Sequence, residues 1–275
     1  KEYTTKMIRL YGTLGLAIKA RDKLSGVNNP NAIAKIIVEQ DGKEIYHYFN
    51  EEVVFAQKSY MNIHMDYCSY KNGNGKLHKC YVDDGNKLKK YKTDKTKGKI
   101  IINDTLKHTI TVKIWDFFNN MSLLTIPIKG QEIIKNNIIN PDDIEKQKTF
   151  INVFQNVLKI ACRNCEKNKT LKIDSETHHS EKTADYYKGK SSVFLWDMRK
   201  EFPRKLSLGE KKLNVNFIYP IPPGKKFTWF TKNITTTFNT NSLFDTLYLQ
   251  MKTNNDTLEI GEIHTPLKDK IDITF

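Results

Sequence analysis

The run Thr13-Leu14-Gly15-Leu16-Ala17-Ile18-Lys19-Ala20-Arg21 decides the fold class. Leu14, Leu16, Ile18 and Ala20 fall on one side of an extended chain, and Thr13, Ala17, Lys19 and Arg21 on the other. That is period 2, a strand with one buried face. Asp22 ends it. Gly26, Asn28, Asn29 and Pro30 follow, and each favours a turn for its own reason: glycine through φ > 0, asparagine through local side-chain bonding, proline through a fixed φ. Residues 32–40 read as a second strand leading into Asp41-Gly42. Asp-Gly between apolar runs is a strong hairpin signal, and residues 44–49 supply the return strand.

Outward from this start, the chain continues as strands. Residues 77–82, 99–103, 108–115 and 122–128 are strand candidates, separated by turn signals at intervals of about 8–12 residues. Residues 51–70 are less regular, and residues 87–99 read as a charged connection. A polar-ended turn, 116–120, joins the last two strands of this half. Amphipathic helices of about 10–15 residues, which a βαβ fold needs, are absent from the pattern. A polar stretch with Pro141-Asp142-Asp143 at its centre forms the expected linker, 131–149. Beyond it, 157–161, 170–173, 192–198, 213–218, 227–230, 235–238, 247–251 and 271–275 read as strands, and 174–190 as a polar loop. The prolines of 220–223 keep that segment out of a central strand. The expectation is an all-β chain of two immunoglobulin/fibronectin-III-like β-sandwich domains in tandem, 8–130 and 150–275.

Composition narrows the partners. The formal charge is +14, which invites a nucleic-acid reading. Lysine, however, outnumbers arginine 40 to 5, and the lysines are spread along the chain. Specific nucleic-acid sites favour arginine for bidentate contacts, with aromatics for stacking, so no specific nucleic-acid partner is expected. Non-specific attraction to anionic cell-wall polymers or lipid headgroups fits the charge better. No run of about 18 apolar residues marks a transmembrane segment.

The residues able to carry chemistry are few. Cys68 and Cys80 flank Asn72-Gly73-Asn74-Gly75, a loop tip, which leaves a hairpin disulfide open. Cys162 and Cys165 form a C-x-x-C, with His178 and His179 downstream. Zinc, a local disulfide and inert thiols all stay open there, although adjacent histidines suit a zinc finger poorly. Asp66, Asp83, Asp84, Asp116 and Asp197 are available as a carboxylate pair, but each sits at a strand end or turn, where Asp usually bonds nearby backbone N–H groups. Tyr46, Tyr48, Phe49, Tyr60 and Tyr67 crowd one region, and Trp196, Phe202, Tyr219, Trp229 and Phe230 another. Such residues are core unless a row of them is exposed on one sheet face.

Residues 12–22 with Gly26 and Asn29 carry a resemblance, and six further matches follow in the same order. These are Ser59-Tyr60-Met61-Asn62-Ile63-His64-Met65-Asp66-Tyr67, then Lys79-Cys80-Tyr81-Val82 through Leu88, then Trp115-Asp116-Phe117-Phe118-Asn119-Asn120. Val193-Phe194-Leu195-Trp196-Asp197-Met198-Arg199-Lys200, Ser242-Leu243-Phe244-Asp245-Thr246-Leu247-Tyr248-Leu249 and Thr265-Pro266-Leu267 complete the set. Together they resemble the region that follows the catalytic domain in long, envelope-associated LytM/lysostaphin-type zinc endopeptidases of gram-negative bacteria, a peptidoglycan DD-endopeptidase family. That family binds zinc through a His, an Asp four residues later, and the first His of a downstream His-x-His. None of His47, His64, His78, His108, His178, His179 and His264 is followed by Asp at that distance, and no His-x-His exists.

The resemblance therefore transfers no catalytic, cofactor-binding or metal residue to this chain, and it leaves enzyme activity open. It implies a non-catalytic, accessory region that positions or anchors a zinc hydrolase domain expected before Lys1, with further chain expected after Phe275. The implied partners are that domain and cell-envelope proteins or peptidoglycan. The implied place is the cell envelope, periplasmic or outer-membrane-associated. The alternatives are a stand-alone structural or binding subunit of an envelope complex and a carbohydrate-binding module.

Overall fold

The computed structural model describes residues 1–23, 30–50, 55–132, 148–166, 168–231, 233–254, 257–261 and 265–275. The turn at 24–29, most of the expected linker (133–147) and His264 lie outside the described residues. The described chain is predominantly strand. Its helical turns are three short pieces, Phe55–Tyr60, Met61–His64 and Tyr67–Lys71, which fall on the irregular segment 51–70 and the residue after it.

Contacts divide the described residues into two compact units. The first comprises those of Lys1–Glu132, Pro222–Asp245 and Glu262–Phe275, and the second those of Ile133–Ile221 and Thr246–Gly261. The two sequence-defined segments, 8–130 and 150–275, follow chain order. The contact units do not, because the chain returns to the first unit at Pro222 and again at Glu262.

In the first unit, five strands run antiparallel in the order Met121–Gly130, Lys107–Trp115, Lys35–Gln40, Lys43–Phe49, Tyr91–Thr93. Glu2–Thr4 and Ile8–Leu10 both add parallel to Met121–Gly130. The turn between Lys35–Gln40 and Lys43–Phe49 is Asp41-Gly42, as the sequence signalled, with φ of 52° and 79°. Positive φ at both central residues matches the twist of the flanking strands. Register then lines up one inward row, with Val38 opposite both Val112 and Tyr46. Ile36, Val38, Tyr46, Ile110 and Val112 are fully buried, so alternation on these strands drives one face into a single core.

Residues 13–21 keep the expected alternation: Leu14, Leu16 and Ala20 are half-buried and Ile18 is buried, while Thr13, Ala17, Lys19 and Arg21 are exposed. They do not form the one continuous strand expected from it. Gly12–Leu14 pairs with Ile100–Ile102, Ala17–Ile18 with His78–Lys79, and Asp22–Lys23 with Pro30–Asn31. The first change of partner falls at Gly15, where a Cβ would lie 2.5 Å from Cε1 of the buried Tyr81 ring. Only glycine leaves room for that ring against the backbone. The strands Phe227–Phe230, Thr235–Phe238 and Ile271–Thr274 form a further sheet of this unit.

In the second unit, a sheet ordered Lys148–Phe154, Val157–Arg163, Ser191–Asp197, Tyr186–Lys188 and another ordered His179–Lys182, Leu171–Asp174, Lys205–Leu208, Lys211–Leu213 share one core. Leu158, Ile160 and Phe194 from the first meet Leu171, Ile173, Leu206 and Leu208 from the second. Two sheets closing over common apolar residues is the layer arrangement that alternating strands require.

Gly15→Ala is expected to destabilise the protein by about 1–3 kcal/mol, the range for overpacking against a buried ring. Gly73→Asn, on a loop tip with open space around it and φ of 77°, is expected to stay within about 0.5 kcal/mol of the wild type, because asparagine tolerates the left-handed region. Urea denaturation followed by circular dichroism checks the order. Equal midpoints for the two variants would contradict the Gly15–Tyr81 contact.

Candidate functional site

Four of the matched segments meet around one buried side chain of the first unit, His64. The short helix Met61–His64 carries its ring inward, and the side chain is 1 % exposed. The ring stacks on Tyr48 at 4.4 Å between centroids and 17° between planes. Nδ1 lies 2.9 Å from the Tyr91 hydroxyl, and Nε2 lies 3.1 Å from Nδ1 of His78.

The hydrogen-bond partners lead to one assignment of the protons. The Asn86 side-chain oxygen accepts from the Leu88 N–H at 3.0 Å, so its amide nitrogen is the group that donates to the Tyr91 hydroxyl at 2.9 Å. Among the described residues the Tyr91 hydroxyl has no acceptor besides His64, so it is assigned to donate its own proton to His64 Nδ1. His64 is left as the Nε2–H tautomer and donates to His78 Nδ1, which places the His78 proton on its Nε2. The result is a directed chain from Asn86 through Tyr91 and His64 to His78.

The surrounding backbone is tied to the same place. Tyr46 donates its hydroxyl proton to the Lys79 carbonyl at 3.0 Å, the Cys80 N–H donates to the Leu16 carbonyl at 2.8 Å, and the Asp66 N–H donates to the Leu77 carbonyl at 2.9 Å. The Tyr60 ring packs on Phe244 at 5.5 Å. Thus 12–22, 59–67, 79–88 and the start of 242–249, four of the matched stretches, form one network.

Electrostatics makes both histidines neutral. Burial, reinforced by His78, Lys79 and Lys90, pushes the His64 pKa down to about 3. Burial and the nearby Lys76 push His78 to about 4. A neutral pair of such low basicity makes a poor general base near pH 7; its chemistry suits holding a fold rather than moving protons. Burial likewise raises the Cys80 thiol, which leaves it a poor nucleophile.

The other candidates are placed as follows. Asp66 caps the helix Tyr67–Lys71, accepting from the Ser69 N–H at 3.2 Å and its hydroxyl at 2.9 Å. Asp116 and Asp197 accept from nearby backbone N–H groups in their turns, as expected. Asp83 pairs with Lys79 at 2.6 Å and Asp84 with Lys97 at 2.7 Å. Cys68 and Cys80 are not joined: Cys80 is fully buried and its thiol points at the His78 carbonyl, so the hairpin disulfide is replaced by two free thiols. Cys162 and Cys165 are joined as a disulfide.

His178 and His179 are taken up by Thr177 and Asp174, and among the described residues no three His, Cys, Asp or Glu side chains converge to hold a metal. Of the aromatics, Tyr46 and Tyr48 are core. Phe202 stacks on Tyr248 within the second unit, whereas Trp229 and Phe230 belong to the first. The sequence reading missed Tyr91 and Asn86 because they lie in or beside the lysine-rich run 87–99. A single tyrosine inside that run was the available signal.

No protein-family model matches this chain, and no curated protein matches it.

The histidines make opposite contributions to stability with pH. His64 and His78 bind a proton near pH 6.5 when unfolded and only near 3–4 when folded, so stability falls as pH drops through that window. His108 lies between Asp41 (2.7 Å) and Asp104 (2.9 Å). Those hydrogen bonds raise its pKa, so its contribution is present below about pH 6.5 and is lost as pH rises through the folded value. His64→Gln is expected to flatten the fall in melting temperature between pH 6.5 and pH 4. His108→Gln is expected to cost more at pH 5.5 than at pH 8.5. Parallel pH profiles for wild type and both variants would contradict these assignments.

Proposed function

We propose that this chain is a non-catalytic, accessory region of a cell-envelope peptidoglycan metalloendopeptidase of the LytM/lysostaphin type, built from immunoglobulin-like β-sandwich domains that position or anchor a zinc domain lying before Lys1. The observation that carries the reading is the set of ordered sequence matches, four of which share the network around His64. That network has the chemistry of a scaffold: neutral histidines, buried tyrosines and a carboxylate, Asp66, that caps a helix. A disulfide at Cys162–Cys165 suits an oxidising compartment such as the periplasm. The zinc belongs to the expected catalytic domain, and its ligands are a His-x3-Asp and a His-x-His that this chain lacks.

One feature favours a second reading, a peptidoglycan- or glycan-binding face. Along Lys148–Phe154, Phe150, Asn152 and Phe154 are exposed on one face of an edge strand, beside exposed Lys159 on the neighbouring strand. Residues two apart lie about 6.6–6.8 Å from one another on a strand, so two rings flank an amide along a line a sugar polymer can follow.

The intact mass of the protein from its own cell separates the readings. A mass well above 32.1 kDa, with upstream peptides bearing His-x3-Asp and His-x-His, is the expected result. A mass near 32.1 kDa would overturn the endopeptidase reading and favour a stand-alone binding subunit. Co-sedimentation with purified peptidoglycan that is lost in Phe150→Ala/Phe154→Ala would support the binding face, and retention in that variant would remove it.

A further inference from the structure

The hairpin between Lys107–Trp115 and Met121–Gly130 ends in a tip that is closed on itself. The Asp116 carboxylate accepts from the Phe118 N–H at 2.8 Å, the Asn120 N–H at 2.9 Å and the Asn120 side-chain amide at 2.7 Å. Asn119 completes the turn with φ of 63°, a conformation asparagine tolerates. Backbone and carboxylate are therefore satisfied within the tip, and the fold gains little from its two remaining side chains. Phe117 and Phe118 are 55 % and 72 % exposed.

The residues behind the tip are also ordered by chemistry. Trp115 and Met121 face each other across the base of the hairpin, and Met121 is 41 % exposed. The Lys35 ammonium lies 4.0 Å from the centre of the Trp115 ring. From the point inward, the sequence of groups is two phenyl rings, then a thioether and an indole carrying a cation. Phenyl rings favour the acyl boundary of a bilayer, whereas indole and lysine favour the headgroup level, where the lysine stem stays on apolar surface and its charge reaches water. The one carboxylate at the tip, Asp116, stays ionised, and its charge is met by three hydrogen bonds from Phe118 and Asn120. The chain's charge of +14 adds attraction to an anionic leaflet. Two exposed phenyl rings on one tight turn suit insertion between lipids better than the broad patch of about 800 Å² per partner that a stable protein interface needs.

We propose that this hairpin tip is a membrane-contact point, which inserts Phe117 and Phe118 into the surface of a bilayer bearing anionic headgroups. The inference rests on the geometry of the tip and does not require the endopeptidase reading.

Sedimentation of the whole chain with vesicles tests it. At about 0.15 M salt, the wild type is expected to sediment with phosphatidylglycerol/phosphatidylcholine vesicles and less with phosphatidylcholine alone. Phe117→Ser/Phe118→Ser is expected to lower partitioning by about tenfold or more, the loss of two partly buried phenyl rings. Its thermal melt is expected to match the wild type, because Asp116 and Asn120 rather than the rings close the turn. In Phe118→Trp, the introduced indole is expected to be quenched by brominated lipid beyond the wild-type level. Equal binding by wild type and the double serine variant would overturn the proposal, leaving only lysine charge. Absence of binding to either vesicle would overturn it, as would an unquenched Phe118→Trp whose tip cross-links to a protein instead.

Discussion

The first unit depends on keeping His64 uncharged inside an aromatic and hydrogen-bonded shell. An imidazole that is 1 % exposed and has lysines nearby is costly to protonate. It is retained because both nitrogens have hydrogen-bond partners, Tyr91 on one side and His78 on the other. Removing either partner would leave a buried nitrogen unsatisfied, at a cost of about 1–3 kcal/mol. Stacking on Tyr48 joins this polar chain to the apolar core, since Tyr48 pairs in register with both Ile36 and Tyr91.

That arrangement explains why helical turns interrupt an otherwise β-rich unit. Phe55–Tyr60, Met61–His64 and Tyr67–Lys71 are too short to be stable alone. They are held by Asp66 as a cap, by the bridge of Met65 to His78, and by the Tyr60–Phe244 contact. The excursion delivers one ring to the core, and the surrounding segments bond to that delivery point. A network of this kind is a scaffold for whatever the surface does, and the surface groups with the clearest character are the hairpin tip of the first unit and the phenylalanine-bearing edge strand of the second.

Much of the local structure was legible in the sequence. Asp41-Gly42 announced its hairpin, the alternation at 13–21 gave the buried face, and 227–230 and 235–238 are strands at those bounds. What escaped depends on partners distant in sequence. The break at Gly15 is caused by Tyr81, which no local pattern reveals. Tyr91–Thr93 lies in a run of lysines whose charges mask a three-residue strand, and His179–Lys182 and Tyr186–Lys188 lie in a stretch read as a polar loop. Inclusion of Pro222–Asp245 in the first unit is likewise a non-local fact. Of the candidate site, His64 was visible as a matched residue in irregular chain. Its partners were not, because a hydrogen-bond chain through Asn86, Tyr91 and His78 has no sequence signature.

The central claim is that His64 is a neutral, Nε2-protonated ring locked between Tyr91 and His78. Long-range proton–nitrogen correlation spectra of the histidine side chains, recorded from pH 8 down to pH 4, test this most directly. The expected result is a single Nε2–H tautomer for His64 with no titration until the pH approaches the unfolding region near the low end. A His64 ring that titrates with a midpoint near 6.5, or that exchanges between tautomers at neutral pH, would contradict it.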